Sequence, residues 1–214
     1  MRDVYKYWLH LASSMRPKKM LDLCCGLKGA SQPFIDSPYW DVFTVDIEEV
    51  FKPDLVIDVR VLRDRIKEQL GVSDFIRSGI DLIWCSPPCV EFYKVLAPFH
   101  KDDYGNEPDL SILEACKDII DLLAPKYWII ENTQCGSIFI NPVLGNYRQK
   151  IGPFFLWGNY PLLSCKIPKN HKAQNDTWST NPMRSNIKAK IPSVVGENLI
   201  DVITFQNNLT AYFE

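Results

Sequence analysis

The sequence lacks the patterns typical of disulfide-rich, zinc-binding and membrane proteins. Its seven cysteines are odd in number and scattered, without a C-x-x-C pair, and its three histidines form no ligand cluster with them. Disulfide scaffolds and zinc sites need regular spacing, so we expect reduced thiols and no metal. No apolar run is long enough to cross a bilayer, and no signal-peptide pattern opens the chain. We therefore expect a cytoplasmic protein that makes no contact with a membrane.

The 214 residues are 46% hydrophobic and 23% charged, which predicts one globular domain over residues 1–214. The net charge of −2 is unevenly distributed. Residues 142–195 hold eight Lys or Arg side chains against one acid, so this segment carries +7 and the remainder −9. Because phosphate backbones attract such a local excess, we predict nucleic-acid contact through a short basic insert at residues 164–191.

Strand and helix patterns alternate over the first two thirds of the chain. Predicted strands cover residues 19–23, 41–47, 54–59, 81–86 and 127–131. Predicted helices cover residues 4–12, a segment around Leu62 to Leu70, and residues 109–124. The alternation predicts an α/β fold, with a mostly parallel twisted sheet and helices on both faces. Beyond residue 141 we expect short antiparallel strands at 154–158 and 161–163 and a closing helix at 199–205.

The segment DLIWCSPPCV ends a predicted strand in two prolines followed at once by Cys89. Pro87 and Pro88 terminate the strand and stiffen the turn, because proline fixes its φ and lacks a backbone donor. The turn then presents Cys89 at the carboxyl edge of the sheet, where open α/β proteins bind ligands. A nucleophile benefits from such a fixed position. The alternative is a buried cysteine beside an ordinary loop.

The first strand leads into the glycine-bearing turn DLCCGLKGAS, where Gly26 and Gly29 allow close approach of a ligand. Asp46 ends the second strand twenty residues after Gly26, an offset that suits ribose hydroxyls. Asp58 ends the third strand, where a carboxylate can accept from an adenine amino group. S-adenosyl-L-methionine fits better than a dinucleotide, because the G-x-G-x-x-G spacing is not kept. The predicted cofactor set is Asp22, Cys24, Gly26, Gly29, Asp46, Ile47, Asp58 and Pro87. Taken singly, such residues are more often caps or turn formers.

Glu131-Asn132-Thr133 ends the fifth predicted strand, beside the end of the fourth and so close to Cys89. Apolar neighbours favour the protonated form of Glu131. A neutral carboxyl group can donate a hydrogen bond to a ring nitrogen. The alternative is a Glu-Asn pair that caps a helix.

SPPC, followed about forty residues later by ENT, resembles the carbon-5 cytosine DNA methyltransferases, whose hallmarks are Pro-Cys and Glu-Asn-Val. The turn after the first strand resembles their cofactor motif, with Cys24 for the usual aromatic and Lys28 for one glycine. The segment YRQKIGPFFLWGNYP resembles the Arg-containing strand of compact, phage-encoded members, with Arg148 as the matching residue. AKIPSVVGENLIDVI is similar to the closing segment of the family. The resemblance spans most of the chain.

The resemblance implies a Rossmann-like class I methyltransferase domain and a covalent mechanism. Cys89 attacks carbon-6 of a cytosine flipped from double-stranded DNA, Glu131 protonates or hydrogen-bonds nitrogen-3, and Arg148 is a further catalytic residue. Asn132 is expected to brace the Pro-Cys turn. Residues 90–108, which are polar and predict a loop, are expected to form a lid. The expected contacts to substrate are Pro88, Asn132, Lys94, Lys150, Lys166, Lys169 and Lys172.

The region between the last strand and the closing segment is shorter than the target-recognition region of the family. Residues 164–191 predict a sequence preference that is short, loose, or supplied by a protein partner. Three alternatives remain open at this point. One is methylation of an exocyclic amino group, although the residue after Pro-Pro is then normally aromatic. The others are a catalytically silent module that binds cofactor or DNA, and an RNA substrate.

Overall fold

The computed structural model describes residues 16–97, 102, 106–167 and 183–210, with side chains described as far as residue 204. The helix predicted at residues 4–12 lies outside the described residues. The strands are β1 (Lys18–Leu23), β2 (Trp40–Asp46), β3 (Leu55–Val56), β4 (Leu82–Cys85), β5 (Tyr127–Asn132), β6 (Gln149–Ile151) and β7 (Phe154–Asn159). The helices are α1 (Gln32–Ile35), α2 (Val59–Glu68), α3 (Asp74–Arg77), α4 (Val90–Leu96), α5 (Ser111–Leu123), α6 (Gln134–Leu144), α7 (Arg184–Ala189) and α8 (Ser193–Thr210). A 3-10 turn covers Glu49–Phe51.

These strands form one sheet in the order β3-β2-β1-β4-β5-β7-β6. The first five strands of this order are parallel, whereas β7 runs antiparallel to both β5 and β6. The chain reverses its direction of winding between β1 and β4, and such a switch point opens a crevice at the carboxyl ends of the strands. The predicted α/β, Rossmann-like architecture is confirmed.

Two hydrophobic clusters cover the two faces of the sheet. Side chains of α2, α5 and α6 pack on one face, around Ile83, Ile130 and Trp157. Helices α1 and α8 pack on the other face, around Trp84, Ile129 and Leu156. Because side chains alternate across a strand, neighbouring residues of β4 and β5 enter different clusters. Both faces are therefore buried, as expected for parallel strands.

Two predictions about local structure are wrong. Residues 161–163 form no strand, and the partner of β7 is β6, which precedes it. Gly152 has a φ of +59° and forms the two-residue turn Gly152-Pro153, with Ile151 opposite Phe154. The second error concerns residues 90–108, predicted as a loop. Its first part is α4, which buries Phe92 and Val95.

Candidate active site

A cavity of about 600 Å³ opens at the carboxyl ends of the parallel strands, a volume typical of sites for small ligands. Cys89 and Glu131 both line this cavity. Every residue of the predicted cofactor set lines it as well, as do Pro88 and Asn132. The structure therefore brings together residues from the ends of five strands, separated by up to 110 positions in the sequence, from Asp22 to Asn132.

Cys89 directly precedes α4, is partly exposed and lines the cavity. Pro87 is buried and Pro88 is exposed, so only the first of the two prolines packs against the rest of the protein. Asn132 donates through Nδ2 to the Pro87 carbonyl at 2.9 Å. Its Oδ1 accepts from the Thr133 backbone N–H at 2.9 Å. The bracing role predicted for Asn132 is thus present as a hydrogen bond between β5 and the Pro-Cys turn.

Glu131 lies beside the end of β4 and is 8% exposed. Burial raises the pKa of its carboxyl group to about 7, while the hydrogen bond from Ser86 works in the opposite direction. Trp84 donates from Nε1 to the Ser86 hydroxyl at 2.8 Å. Near neutral pH, a substantial fraction of the protein therefore holds Glu131 as a neutral acid that can donate a hydrogen bond.

Cys24 and Cys25 also line the cavity, but neither thiol ionises readily. The hydrogen bond with Cys116, together with burial, raises the pKa of Cys24 well above its usual range. Burial is the main cause of the raised pKa of Cys25. Since only a thiolate is a good nucleophile, these two cysteines are poor candidates for covalent chemistry. No disulfide joins any of the seven cysteines.

Asp46 joins the two loops that bound the cavity next to β1 and β2. Its Oδ2 accepts from the Gly26 backbone N–H at 2.8 Å, and its Oδ1 accepts from the Glu48 N–H at 3.0 Å. Each carboxylate oxygen has a second lone pair, so Asp46 retains acceptor capacity. The next residue, Ile47, lines the cavity although its side chain is 59% exposed. An exposed apolar residue at the rim of a cavity is suited to cover a flat ring.

Asp58 has partners that the sequence did not predict. Its Oδ1 caps α2 by accepting from the Arg60 N–H at 2.8 Å, and its Oδ2 accepts from the Arg60 guanidinium at 2.6 Å. The Arg60 guanidinium lowers the pKa of the Asp58 carboxyl group. The guanidinium also donates to Ser111 at 3.1 Å. Asp58 lines the cavity as half of an ion pair rather than as an isolated acceptor.

The glycine turn departs from the family pattern without closing the cavity. Lys28 has a φ of +54°, the left-handed conformation that a glycine adopts easily, and its Nζ donates to the Lys52 carbonyl at 2.6 Å. At Gly26, which has a φ of +48°, a Cβ atom would meet no neighbouring atom, so the space above this residue is open. At Gly29, the position of a Cβ atom is taken by the Ile191 backbone. Gly29 therefore allows the approach of the chain's own closing segment.

Asp22 lines the cavity at the end of β1 and accepts a 2.5 Å hydrogen bond from Ser31. Burial raises the pKa of its carboxyl group to about 7, and the Ser31 hydrogen bond opposes that increase. Because Ser31 directly precedes α1, the start of this helix fixes the position of the Asp22 carboxyl group.

Several predicted site residues do not line the cavity. Arg148 is exposed just before β6, and its guanidinium lies 5.6 Å from the centre of the Tyr160 ring. The Lys150 ammonium lies 4.9 Å from the centre of the Phe155 ring. Lys94 pairs with Glu91 at 2.9 Å on α4. Lys166 is exposed, while Lys169 and Lys172 lie outside the described residues.

One wall of the cavity was predicted from the sequence only as part of the basic insert at residues 164–191, with no role at the cofactor or catalytic site. It is formed by α7 and the loop after it, through Ser185, Asn186, Lys188, Ala189, Lys190 and Ile191. The signal available was the similarity of AKIPSVVGENLIDVI to the closing segment of the family, but no residue of it was assigned to the site. Lys188 and Lys190 bring positive charge to a cavity that also contains four carboxyl groups, those of Asp22, Asp46, Asp58 and Glu131.

No protein-family model matches the chain, and no curated protein matches it. Among solved structures, the chain is similar to a protein described as a DNA modification methyltransferase encoded within an E. coli prophage, at 19% identity and a TM-score of 0.44. It is also similar to the 16S rRNA methylase RmtB, at 12% identity and a TM-score of 0.33, and to the small RNA methyltransferase HEN1, at 14% identity and a TM-score of 0.32.

These matches cover 66%, 74% and 69% of this chain. In the same order, the chain spans 46%, 61% and 18% of the length of the three proteins. Similarity at this level carries no argument about activity, which has to come from the site itself.

Two further observations apply to the described part of the chain. No group of three or more His, Cys, Asp or Glu side chains is arranged there to hold a metal ion. No helix there is long and apolar enough to span a membrane.

Proposed function

We propose that the protein is an S-adenosylmethionine-dependent methyltransferase that modifies carbon-5 of cytosine in DNA through a covalent cysteine adduct. The observation that carries this proposal is the presence of Cys89 and the buried acid Glu131 on one cavity, at the ends of neighbouring strands. Beside them lie an open glycine turn and the acceptor Asp46. The resemblance of SPPC and ENT to the carbon-5 cytosine family supports the same chemistry.

The residues of the cavity fit the cofactor. Asp46 has lone pairs for ribose hydroxyls, Ile47 offers an apolar surface for adenine, and the space above Gly26 is open for the rest of the molecule. The cofactor supplies a methyl group from a sulfonium and leaves as a neutral thioether. We assign Asp58 a structural part in this site, because each of its carboxylate oxygens already accepts two hydrogen bonds from Arg60, whereas each oxygen of Asp46 accepts one.

In the proposed reaction, Cys89 and Glu131 act on different atoms of the base. The Cys89 thiolate forms a bond to carbon-6, and the electron pair of the 5,6 double bond becomes available for a new bond at carbon-5. Glu131 donates its proton toward nitrogen-3, which neutralises the charge that develops on the ring. After carbon-5 has been methylated, loss of its proton to a base restores the double bond and expels the thiolate. Nitrogen-3 returns its proton to Glu131.

DNA is the proposed substrate because positive charge is concentrated toward the C-terminal part of the chain. Lys188 and Lys190 lie at the cavity, and Lys166 is exposed. A base can reach such a cavity only after it has left the duplex. Lys94, Lys150, Lys169 and Lys172 remain proposed phosphate contacts, and Arg148 a proposed contact near the base. A protein partner that supplies sequence preference is part of this proposal.

The experiment is nucleoside mass spectrometry after incubation of the protein with DNA and cofactor that carries a labelled methyl group. The proposal predicts label in 5-methylcytosine, and its loss in the variants Cys89→Ser and Glu131→Gln. Label in an amino-methylated base would contradict the proposal in favour of exocyclic methylation. Label in RNA but not in DNA would overturn the choice of substrate. Cofactor binding without any labelled product would indicate a silent module.

A further inference from the structure

The Ser86 hydroxyl lies between two buried side chains at the edge of the cavity. Trp84, which is 1% exposed, donates to it from Nε1 at 2.8 Å. On its other side Ser86 faces Glu131 and lowers the pKa of that carboxyl group as a hydrogen-bond partner. The register of the two strands places Cys85 opposite Ile130, so the residues that follow, Ser86 and Glu131, stand side by side. Trp84, Ser86 and Glu131 all line the cavity.

The chemistry of these three groups assigns a direction to each hydrogen bond. An indole N–H is only a donor, whereas a serine hydroxyl has one hydrogen and two lone pairs. Trp84 occupies one lone pair of Ser86, and a partner that lowers the pKa of a carboxyl group donates to it, so the hydroxyl hydrogen is directed to Glu131. A neutral carboxyl group has one O–H, and the oxygen that accepts from Ser86 is its carbonyl oxygen. The proton of Glu131 then resides on the other oxygen.

We propose that Ser86, oriented by Trp84, is a positioning residue that fixes which oxygen of Glu131 carries the proton donated to the base. This inference rests on the proposed function and deepens it. Without Ser86, the carboxyl group can present either a donor or an acceptor to nitrogen-3, and only the donor is productive. The charged side chains that share the cavity with Glu131 are Asp22, Asp46, Asp58, Arg60, Lys188 and Lys190.

The test is a pH titration of the Glu131 carboxyl carbon by NMR, on protein labelled with 13C at the glutamate side chain and free of cofactor and DNA. The variant Glu131→Gln identifies the signal. In Ser86→Ala the pKa of Glu131 should rise, because a hydrogen bond that favours the carboxylate is lost. Ser86→Thr keeps the hydroxyl and should restore the wild-type titration. An unchanged Glu131 titration in folded Ser86→Ala would overturn the inference.

Activity provides a second measurement. For Ser86→Ala we expect kcat to fall about 10-fold with KM for DNA unchanged, since proton donation is affected and binding is not. Ser86→Thr should recover that loss, and equal kcat values in wild type and Ser86→Ala would also contradict the inference. The titration involves no substrate. A wild-type protein that methylates nothing would therefore refute the proposed function while the titration still decides how Ser86 acts on Glu131.

Discussion

The side-chain amide of Asn132 donates to the backbone carbonyl of Pro87 at 2.9 Å, across 45 positions of sequence. This contact ties the end of β5 to the turn that carries Cys89. Both partners are buried, so the amide cannot exchange its partner for water without cost. The relative position of Cys89 and Glu131 therefore depends on a residue that needs no contact with the substrate.

Replacing Asn132 by aspartate should loosen the turn while the shape of the side chain is retained. The carboxylate cannot donate to the Pro87 carbonyl, and we expect a loss of about 1–3 kcal/mol in the free energy of unfolding. Because Cys89 would shift relative to the base, kcat should fall by about 100-fold. Chemical denaturation and single-turnover kinetics measure the two effects.

Asn159→Asp is the matched control, because Asn159 also donates to a backbone carbonyl, that of Lys126, at 3.1 Å on the exposed surface. Its activity should remain at the wild-type level. An Asn132→Asp protein as active as this control would show that the turn does not need the brace.

Glu131 should make stability depend on pH. Its folded-state pKa of about 7 lies above the ordinary value of 4.5, so the folded protein prefers the neutral form. The stabilisation from this preference is fully present below pH 4.5 and is lost as the pH rises through 7. Relative to wild type, Glu131→Gln should therefore gain about 3 kcal/mol of unfolding free energy between pH 4.5 and 7.5.

Urea denaturation across this pH range measures the difference between the two proteins. Asp22, whose pKa is also raised, is present in both proteins, so its contribution cancels in the difference between their unfolding free energies. Glu68→Gln, at an exposed position of α2, is the control. Its unfolding free energy should depend on pH in the same way as that of wild type. A constant difference between Glu131→Gln and wild type would contradict a neutral, buried Glu131.

Ile47 should contribute to cofactor affinity through apolar contact at the rim. For Ile47→Ser we expect about 10-fold weaker binding of S-adenosylmethionine, because the transfer of an aliphatic side chain from water is worth about 1.5–3 kcal/mol when complete. Isothermal titration calorimetry measures the affinity. Val50→Ser is the control, since Val50 is similarly exposed, at 62%, and does not line the cavity. Equal affinities of the two variants would remove Ile47 from the cofactor site.

The strand ends of the site could be predicted because their signals are local. Runs of β-branched and aromatic residues identify β2 and β5, and two prolines end the strand that precedes Cys89. Since parallel strands share one carboxyl edge, Cys89, Glu131 and Asp46 could be placed near one another from the sequence.

Other parts depend on where an element begins or on contacts between distant segments. The ion pair of Asp58 with Arg60 follows from the start of α2, a boundary that the apolar pattern does not define. β6 contains one buried residue in three and forms because β7 pairs with it. The turn Gly152-Pro153 was a local signal that could have identified that hairpin. The position of the wall formed by α7 depends on long-range packing, because Ile191 after α7 and Val195 of α8 enter the same hydrophobic cluster as Phe34 of α1.

The basic residues before α7 should bind phosphates without reading the sequence. Reversing Lys166 and Lys169 to glutamate should weaken DNA binding and lower the slope of log K against log salt by about 2. Reversing Lys67 and Lys117, which lie on the helices α2 and α5, is the matched control and should leave the slope unchanged. Fluorescence anisotropy at several salt concentrations measures both slopes. Equal slopes would exclude Lys166 and Lys169 as phosphate contacts.

The central claim is that the Cys89 sulfur bonds to carbon-6 of a cytosine, and a trapped adduct tests it most directly. Fluorine at carbon-5 cannot leave as a proton does, so the thiolate is not expelled after methyl transfer. With DNA that contains 5-fluorocytosine and with S-adenosylmethionine, denaturing electrophoresis should show a protein–DNA complex, and mass spectrometry of its peptides should place the link on Cys89. Cys89→Ser should give no complex. A wild-type protein that methylates cytosine without forming this adduct, or a link at another cysteine, would contradict the account.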